Sequence, residues 1–253
     1  MIEPYEAVFE STDDSALLFT IDGQYAQFRR IDTTTTKQTY RVPPRTTLAG
    51  LLAAILGLER DSYYETFAPG RSAIAIGIDG PLRTRTMPVL ELSTGDRSDF
   101  ESKVDHTLIS PKTSIGDRQQ RLREYVADPT YTIAVAVEDV DIYKRLRTHL
   151  SEGTSVYTPA LGTSECLASI AFEGEVTVTE TNAEAVESVA TDEVAAPTSR
   201  FDIERVPYQF EATHSGRKPS AFVSYIYRDD GDPIPLADGA TAYSVGGRPM
   251  VFI

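Results

Sequence analysis

Cysteine, histidine and lysine are scarce in this chain of 253 residues, and each shortage excludes a class of function. Cys166 stands alone, so no internal disulfide forms and nothing points to an oxidising compartment. A small buried hydrophobe is its expected role. The three histidines, His106, His149 and His214, are far apart, with no pair at metal-ligand spacing. His149 ends a helical stretch and reads as a capping cation or a solvent-facing residue. The longest apolar run, Leu48 to Leu58, has 11 residues, against the roughly 20 that a spanning helix needs. Residues Met1 to Glu6 have neither the basic region nor the apolar region of a signal peptide. The expectation is a cytoplasmic protein with no membrane association. No nucleophile elbow or phosphate-binding glycine loop is present. Asp229-Asp230-Gly231-Asp232 lacks the terminal Glu and the spacing of a calcium loop, and reads as a hairpin turn. No metal and no cofactor is expected.

What is abundant is acid. The net charge is −14, with 38 Asp and Glu against 24 basic residues. Of those basic residues 19 are Arg and five are Lys: Lys37, Lys103, Lys112, Lys144 and Lys218. A Thr-rich, Lys-poor, acidic chain fits a cytoplasm near molar salt. There the Debye length is about 3 Å and self-repulsion is weak. An ordinary acidic protein has the same composition, so both readings stand. Hydrophobic residues make up 41% of the chain, enough for a real core.

Periodicity supplies the elements. Ala16 to Ile21, Ser72 to Ile78, Thr86 to Leu92 and Thr130 to Val137 read as strands, with Pro88 marking an edge. Leu48, Leu51, Leu52 and Ile55 follow Pro44 at helical spacing, and Gly57 ends the helix. The small residues Ala49, Gly50, Ala53 and Ala54 allow close backbone approach there. Val140 to Leu150 is a second amphipathic helix. Asp61 to Phe67 and Arg118 to Val126 are expected as short helices, and Ile31 to Thr39 as a loop. Val156 to Phe172 is expected to be extended, with a turn at Gly162. The order strand, helix, strand, strand, helix, strand suggests an α+β, ferredoxin-like (RRM-like) core over residues 1–172. Residues 173–196 carry seven acids and no base, and 173–198 is expected to be exposed and partly flexible. Short strands from 199 to 253 suggest a small C-terminal β appendage.

Charge is unevenly spread. Between Gln24 and Leu58 stand Arg29, Arg30, Lys37, Arg41 and Arg45 against one acid, Asp32, a local net of +4. Tyr25, Phe28 and Tyr40 lie in the same stretch. Cations beside aromatic rings suit single-stranded nucleic acid, cations to phosphates and rings to bases. Pro43-Pro44-Arg45-Thr46-Thr47 opens the helix, where unpaired N–H groups and two hydroxyls make a candidate phosphate seat. The competing structural reading pairs the arginines with acids across a sheet and uses Thr46 or Thr47 as a helix cap. Because high salt weakens ionic RNA binding, stacking, hydrogen bonds and burial must supply more of the affinity.

Three stretches carry a family resemblance. They are Gly23 to Arg30, Thr39 to Gly57 (TYRVPPRTTLAGLLAAILG) with Tyr63-Tyr64 after it, and Thr158 to Cys166 (TPALGTSEC). Together they resemble the CRISPR-associated Cas-five family, most closely its haloarchaeal type I-B form. The resemblance implies a ferredoxin-like core of the RAMP superfamily with a thumb-like insertion at about 83–116. It implies a non-catalytic subunit that caps the 5′ repeat-derived handle of the guide RNA, beside a neighbouring backbone subunit and a large subunit. The RNA-binding candidates are then Tyr25, Arg29, Arg30, Lys37, Tyr40, Arg41, Arg45, Thr46, Thr47 and Gly50, with Gly162 and Thr163 from the second motif.

Two other functions remain open at the level of sequence. Metal-free RNA cleavage, as in the related subunit of type I-C systems, needs a general base and a cation. His106 with Lys103 and Lys112, or Tyr40 with Lys37, supply those types. A protein-only assembly role would instead place the basic cluster against an acidic partner.

Overall fold

A computed structural model describes residues 5–30, 36–92, 118–197, 200–213 and 216–253. A six-stranded antiparallel sheet organises it, built on β1 (Ser15–Asp22), β5 (Ser72–Ile78), β8 (Thr130–Val137) and β9 (Ser169–Thr181). β15 (Ala242–Val245) and β16 (Arg248–Met250) extend it beside β9, giving the order β16-β15-β9-β1-β8-β5. Successive residues of a strand face opposite sides, and here the two sides differ in bulk. Leu17, Phe19 and Ile21 of β1, Ile74 and Ile76 of β5, and Ile133, Val135 and Val137 of β8 join one core. Ala16, Ala73, Ala75, Ala134 and Ala136 face the other core with Leu18. On that alanine face the short helix α1 (Glu6–Ser11) packs Val8 and Phe9 against Phe252. The C-terminal residues close the sheet onto itself, since the Ile253 N–H donates to the Ile74 carbonyl at 2.8 Å.

The bulky face is covered by α2 (Arg45–Leu56) and the helix at Val140–Glu152, here α3. Both are bounded as their sequences require. In α2 the buried residues Leu48, Leu51, Leu52 and Ile55 contribute roughly 1.5–3 kcal/mol each. Gly57 ends it at φ 71°, and the Leu58 N–H returns to Ala53 O at 2.9 Å. Asp139 caps α3, accepting from the N–H groups of Asp141 and Ile142 at 3.0 and 3.1 Å. Gly153 ends α3 at φ 63°.

A second sheet runs β2 (Tyr25–Ala26), β7 (Arg118–Ala127), β6 (Arg83–Leu92). Arg118 to Val126, expected as a helix, is therefore a strand, paired with β6 along its whole length. Pro88 lies in β6, which is the edge strand its missing N–H requires. The segment expected as a thumb-like insertion begins in this hairpin, and its residues 93–117 lie outside the described residues. Asp61 to Phe67, expected as a helix, forms successive turns. Residues 153–168 are irregular, where extended chain was expected before β9.

The acidic stretch also differs from expectation. β9 runs through it to Thr181, alternating exposed Glu173 and Glu175 with Val176 and Val178, and β10 (Ala185–Val186) and β11 (Ala190–Thr191) follow. Val186, Val189 and Ala190 are fully buried, so apolar burial overrides the charge bias. β11 pairs with β13 (Gly216–Tyr227), which pairs with β12 (Asp202–Thr213). Val206, Tyr225 and Tyr227 of this hairpin belong to the same core as α2. The C-terminal region thus divides between its own sheet and the main one.

Candidate nucleic-acid interface

The two sequence motifs meet because glycines let their backbones touch. β3 (Phe28–Arg29) pairs with β4 (Thr39–Tyr40), bringing the chain to α2. The Gln27 N–H donates to Leu161 O at 3.0 Å. Gly162 beside it has φ +93°, and a Cβ there would stand 2.7 Å from the Gln27 carbonyl carbon. At Gly23 a Cβ would stand 2.7 Å from Leu167 O. At the other end of the segment, the N–H groups of Val156 and Tyr157 donate to Ile55 O and Ala54 O at 3.1 and 3.0 Å. Residues 158–163 are thereby pinned between β2–β3 and the end of α2.

The result is a cleft of about 680 Å³. α2 lines it with Thr46, Thr47, Gly50, Leu51 and Ala54, and the pinned segment with Thr158, Ala160, Gly162 and Thr163. Gln27, Phe28, Arg29 and Tyr40 border it, and the β12–β13 hairpin supplies Pro207, Phe210, Arg217 and Pro219. Tyr63 completes the lining, and its hydroxyl would lie 3.2 Å from a Cβ at Gly50. Two arginines and no carboxylate are among these residues.

Of the expected site residues, Arg29, Tyr40, Thr46, Thr47, Gly50, Gly162 and Thr163 border this cleft. Arg29 is exposed, and among the described residues it has no ion pair. Arg45 is a correction. It is 1% exposed, and its guanidinium donates to Ser72 O at 2.7 Å, Ser72 Oγ at 2.6 Å, Phe67 O and Ala68 O at 3.3 Å, and Ile253 O. It pins α2 to the sheet and presents nothing to a phosphate. The expected seat at the start of α2 is largely filled from within: the Arg45 N–H donates to the Tyr225 hydroxyl at 3.0 Å, and those of Thr47 and Leu48 to Pro44 O. Neither threonine caps the helix by its side chain.

Burial also corrects the expected stacking rings. Phe28 and Tyr40 are each 2% exposed, because both belong to the core under the β3–β4 pair. Tyr25 is half-buried, edge-on to Tyr125 at 5.8 Å. Arg30 lies with its guanidinium 5.3 Å from the Tyr40 ring centroid. Arg41 pairs with Asp202 at 3.6 Å, and its N–H donates to the Glu204 carboxylate at 2.9 Å. Burial raises the Glu204 carboxyl above its ordinary range, against the N–H groups of Arg41 and Val42 and the charges of Arg30 and Arg41. Lys37 joins β7 by its backbone, bonded to Leu122 O and the Glu124 N–H.

Sequence reasoning missed Phe210 and Arg217, which reach the cleft from the C-terminal hairpin with no local motif to mark them, and it placed Tyr63 in a family stretch without assigning it to the site. It also missed a basic face. Arg83, Arg85, Arg121 and Arg123 share one side of the β6–β7 hairpin, since residues directly opposite in the register face the same way. Arg83 and Arg85 are exposed, whereas Arg123 pairs with Glu165 at 2.7 Å.

The remaining chemistry-bearing residues are structural. Burial pushes the Cys166 thiol up, and His149 Nδ1 lies 3.0 Å from Thr154 Oγ1 at the end of α3. Arg228 holds the 229–232 turn through Asp230 and Asp232 at 3.0 and 2.7 Å. Among the described residues no group of three or more His, Cys, Asp or Glu is placed to hold a metal, and no helix is long and apolar enough to cross a membrane. His106, Lys103, Lys112 and His214 lie outside the described residues.

The sequence model of the family described as "CRISPR-associated protein (Cas_Cas5)" matches residues 16–232. The chain belongs to the CRISPR-associated Cas5 family. The matched span contains every residue that lines the cleft, from Gln27 to Pro219. Several solved structures resemble the Cas5 chain, among them two that cover nearly its whole length. One is a CRISPR protein from Archaeoglobus fulgidus, with 17% identity over 93% of this chain and 98% of that one and a TM-score of 0.51. The other is a chain of a "CRISPR RNA-guided surveillance complex", with 13% identity over 94% and 91% and a TM-score of 0.50. At these identities the likeness is one of fold. No curated protein matches the chain.

Proposed function

We propose that this Cas5 chain is a non-catalytic subunit of a type I CRISPR surveillance complex, which holds the 5′ repeat-derived handle of the guide RNA in the cleft. The observation that carries the reading is the charge of the lining: two arginines, threonine hydroxyls, Tyr63 and Phe210, with no carboxylate, in a chain of net charge −14. Single-stranded RNA presents phosphates to cations and open base faces to rings. The arginine face of the β6–β7 hairpin would extend the track for the phosphate backbone.

Under the same reading β1, α2, β5, β8, α3 and β9 form a ferredoxin-like core, which their order β9-β1-β8-β5 supports. The β6–β7 hairpin is the base of a thumb-like insertion. The acidic, Lys-poor composition supports the haloarchaeal type I-B form, working in a salt-rich cytoplasm. A neighbouring backbone subunit and the large subunit are its protein partners. No catalytic step is assigned: Tyr40, one of the candidate actors, is buried.

The test is binding of the purified chain to handle RNA and to a scrambled RNA of equal length at about 2 M KCl, where non-specific ionic binding is suppressed. Preference for the handle, lost in Arg29→Ala and without strand cleavage, is the expected result. Equal weak binding to both RNAs refutes capping by this chain alone, and cleavage refutes the non-catalytic role.

A further inference from the structure

The cleft wall built by the C-terminal hairpin holds a cation that already has a counter-ion. Arg217 lines the cleft with its side chain 44% exposed. Its guanidinium lies 5.3 Å from the Phe210 ring centroid and 3.8 Å from Asp61 Oδ1. Tyr64 braces both neighbours: its ring is 6.2 Å from Phe210, and its hydroxyl donates to Asp61 Oδ1. Burial, then this hydrogen bond, pushes the Tyr64 phenol up to about 12. Asp61 sits at φ 64° on its turn and also pairs with Arg60 at 3.5 Å.

This arrangement is uneven in strength. At 3.8 Å the Arg217–Asp61 contact is a loose ion pair between partly exposed groups, and such pairs contribute little. Asp61 keeps Tyr64 and Arg60 when Arg217 leaves, so no carboxylate is stranded. A phosphate offers Arg217 more charge and a bidentate geometry that the 3.8 Å contact with Asp61 and the hydrogen bonds to the neutral Tyr63 and Tyr64 hydroxyls do not. Phe210, opposite Pro219 in the hairpin register, is fixed below the guanidinium.

We propose that Arg217 is a phosphate-binding arm held by Asp61 in the empty cleft, and that it exchanges this carboxylate for a phosphate of a bound single strand while Phe210 takes the adjoining base. The inference rests on the reading of the cleft as an RNA site. Asp61 then sets the threshold: it lowers affinity for weakly charged ligands, and a phosphate chain outcompetes it.

The test uses the full chain and a fluorescent single-stranded RNA of mixed sequence, about 12 nucleotides long, titrated at several KCl concentrations. Arg217→Ala weakens binding about tenfold and reduces the magnitude of the log–log salt slope by about 0.7. Asp61→Asn keeps a residue that tolerates left-handed backbone, and tightens binding about threefold. In the Arg217→Ala background Asp61→Asn has no effect. Phe210→Leu weakens binding and leaves the slope unchanged. An unchanged thermal midpoint in each variant excludes misfolding, and Arg217→Lys recovers the slope but not the full affinity. If Arg29→Ala weakens binding but Arg217→Ala does not, the arm is refuted and the RNA cleft stands. If neither arginine matters, or the unaltered chain shows no saturable binding, the RNA reading fails and the arm with it.

Discussion

Arg45→Met removes a guanidinium from the interior while keeping a long apolar side chain in its place, so the loss of hydrogen bonds is separated from the opening of a cavity. Arg45 is 1% exposed and donates to four backbone carbonyls and the Ser72 hydroxyl. Not all of these acceptors would be stranded. Ala68 O also receives the N–H groups of Arg71 and Ser72 at 3.0 and 3.1 Å, so it keeps donors. Phe67 O, Ile253 O and Ser72 O, which like Ile74 O and Ile76 O points away from β8, have no other donor among the described contacts. Each orphaned buried acceptor costs about 1–3 kcal/mol, so the substitution costs roughly 3–9 kcal/mol, a large share of a typical total of about 5–15 kcal/mol. For a domain of this size each kcal/mol moves the melting temperature by about 2–4 °C. The midpoint of thermal unfolding followed by circular dichroism is therefore expected to fall by roughly 5–35 °C. Arg45→Lys recovers only part of this, because an ammonium lacks the planar fork that reaches Phe67, Ser72 and Ile253 at once. An unchanged midpoint with a selective loss of RNA binding would refute this reasoning and restore Arg45 as a phosphate contact.

Gly162→Ala puts a methyl group against the Gln27 carbonyl in a left-handed conformation. It should cost on the order of 1–3 kcal/mol, and limited proteolysis should then cut within 158–168 first; resistance equal to the unaltered chain contradicts this. Burial raises the folded Glu204 carboxyl above the ordinary carboxylate range, so just above that range the folded chain binds more protons than the unfolded one, and stability falls as pH rises through the window. Glu204→Gln should flatten that part of the stability curve in urea titrations, because the amide oxygen still accepts from Arg41 N–H; a curve identical to the unaltered chain counts against it. Arg83→Ala with Arg85→Ala should leave the thermal midpoint unchanged and reduce the salt slope of RNA binding by about 1.4, and an unchanged slope removes the hairpin from the RNA track.

The legible parts of the fold were those where local pattern and packing agree. α2 and α3 follow from apolar residues at helical spacing; α2 ends at Gly57 as expected, and α3, expected to Leu150, runs on to Glu152 and ends at Gly153. Where they disagree, pairing wins. Arg118 to Val126 is rich in helix-forming Gln, Arg, Leu and Glu, yet nine residues of β6 pair with it. Its alternation of Arg121, Arg123 and Tyr125 against Gln120, Leu122 and Glu124 already had the period of a strand. Residues 175–179 likewise alternate polar Glu175, Thr177 and Thr179 with Val176 and Val178, and the charge excess hid this. The site was half legible. A cation count does not distinguish Arg29 in the cleft from Arg45 in the core, because both lie in the same basic stretch. Arg217 and Phe210 reach α2 only through the long-range docking of the C-terminal hairpin.

The acidity of the chain and the proposed RNA cleft are reconciled by where the fold leaves charge unmatched. Acids near the cleft already face cations: Asp61 faces Arg217 and Arg60, Asp202 faces Arg41, Glu165 faces Arg123, and Glu211 faces Lys218 at 2.8 Å. Glu173 and Glu180 point outward from β9, away from α2's face of the sheet. Their field is cut off within about 3 Å at molar salt. What a ligand meets at short range is Arg29, which has no ion pair among the described residues, and Arg217, whose pair is loose. Net charge therefore governs solubility here, while the local pairing of a few side chains governs which ligand the cleft accepts.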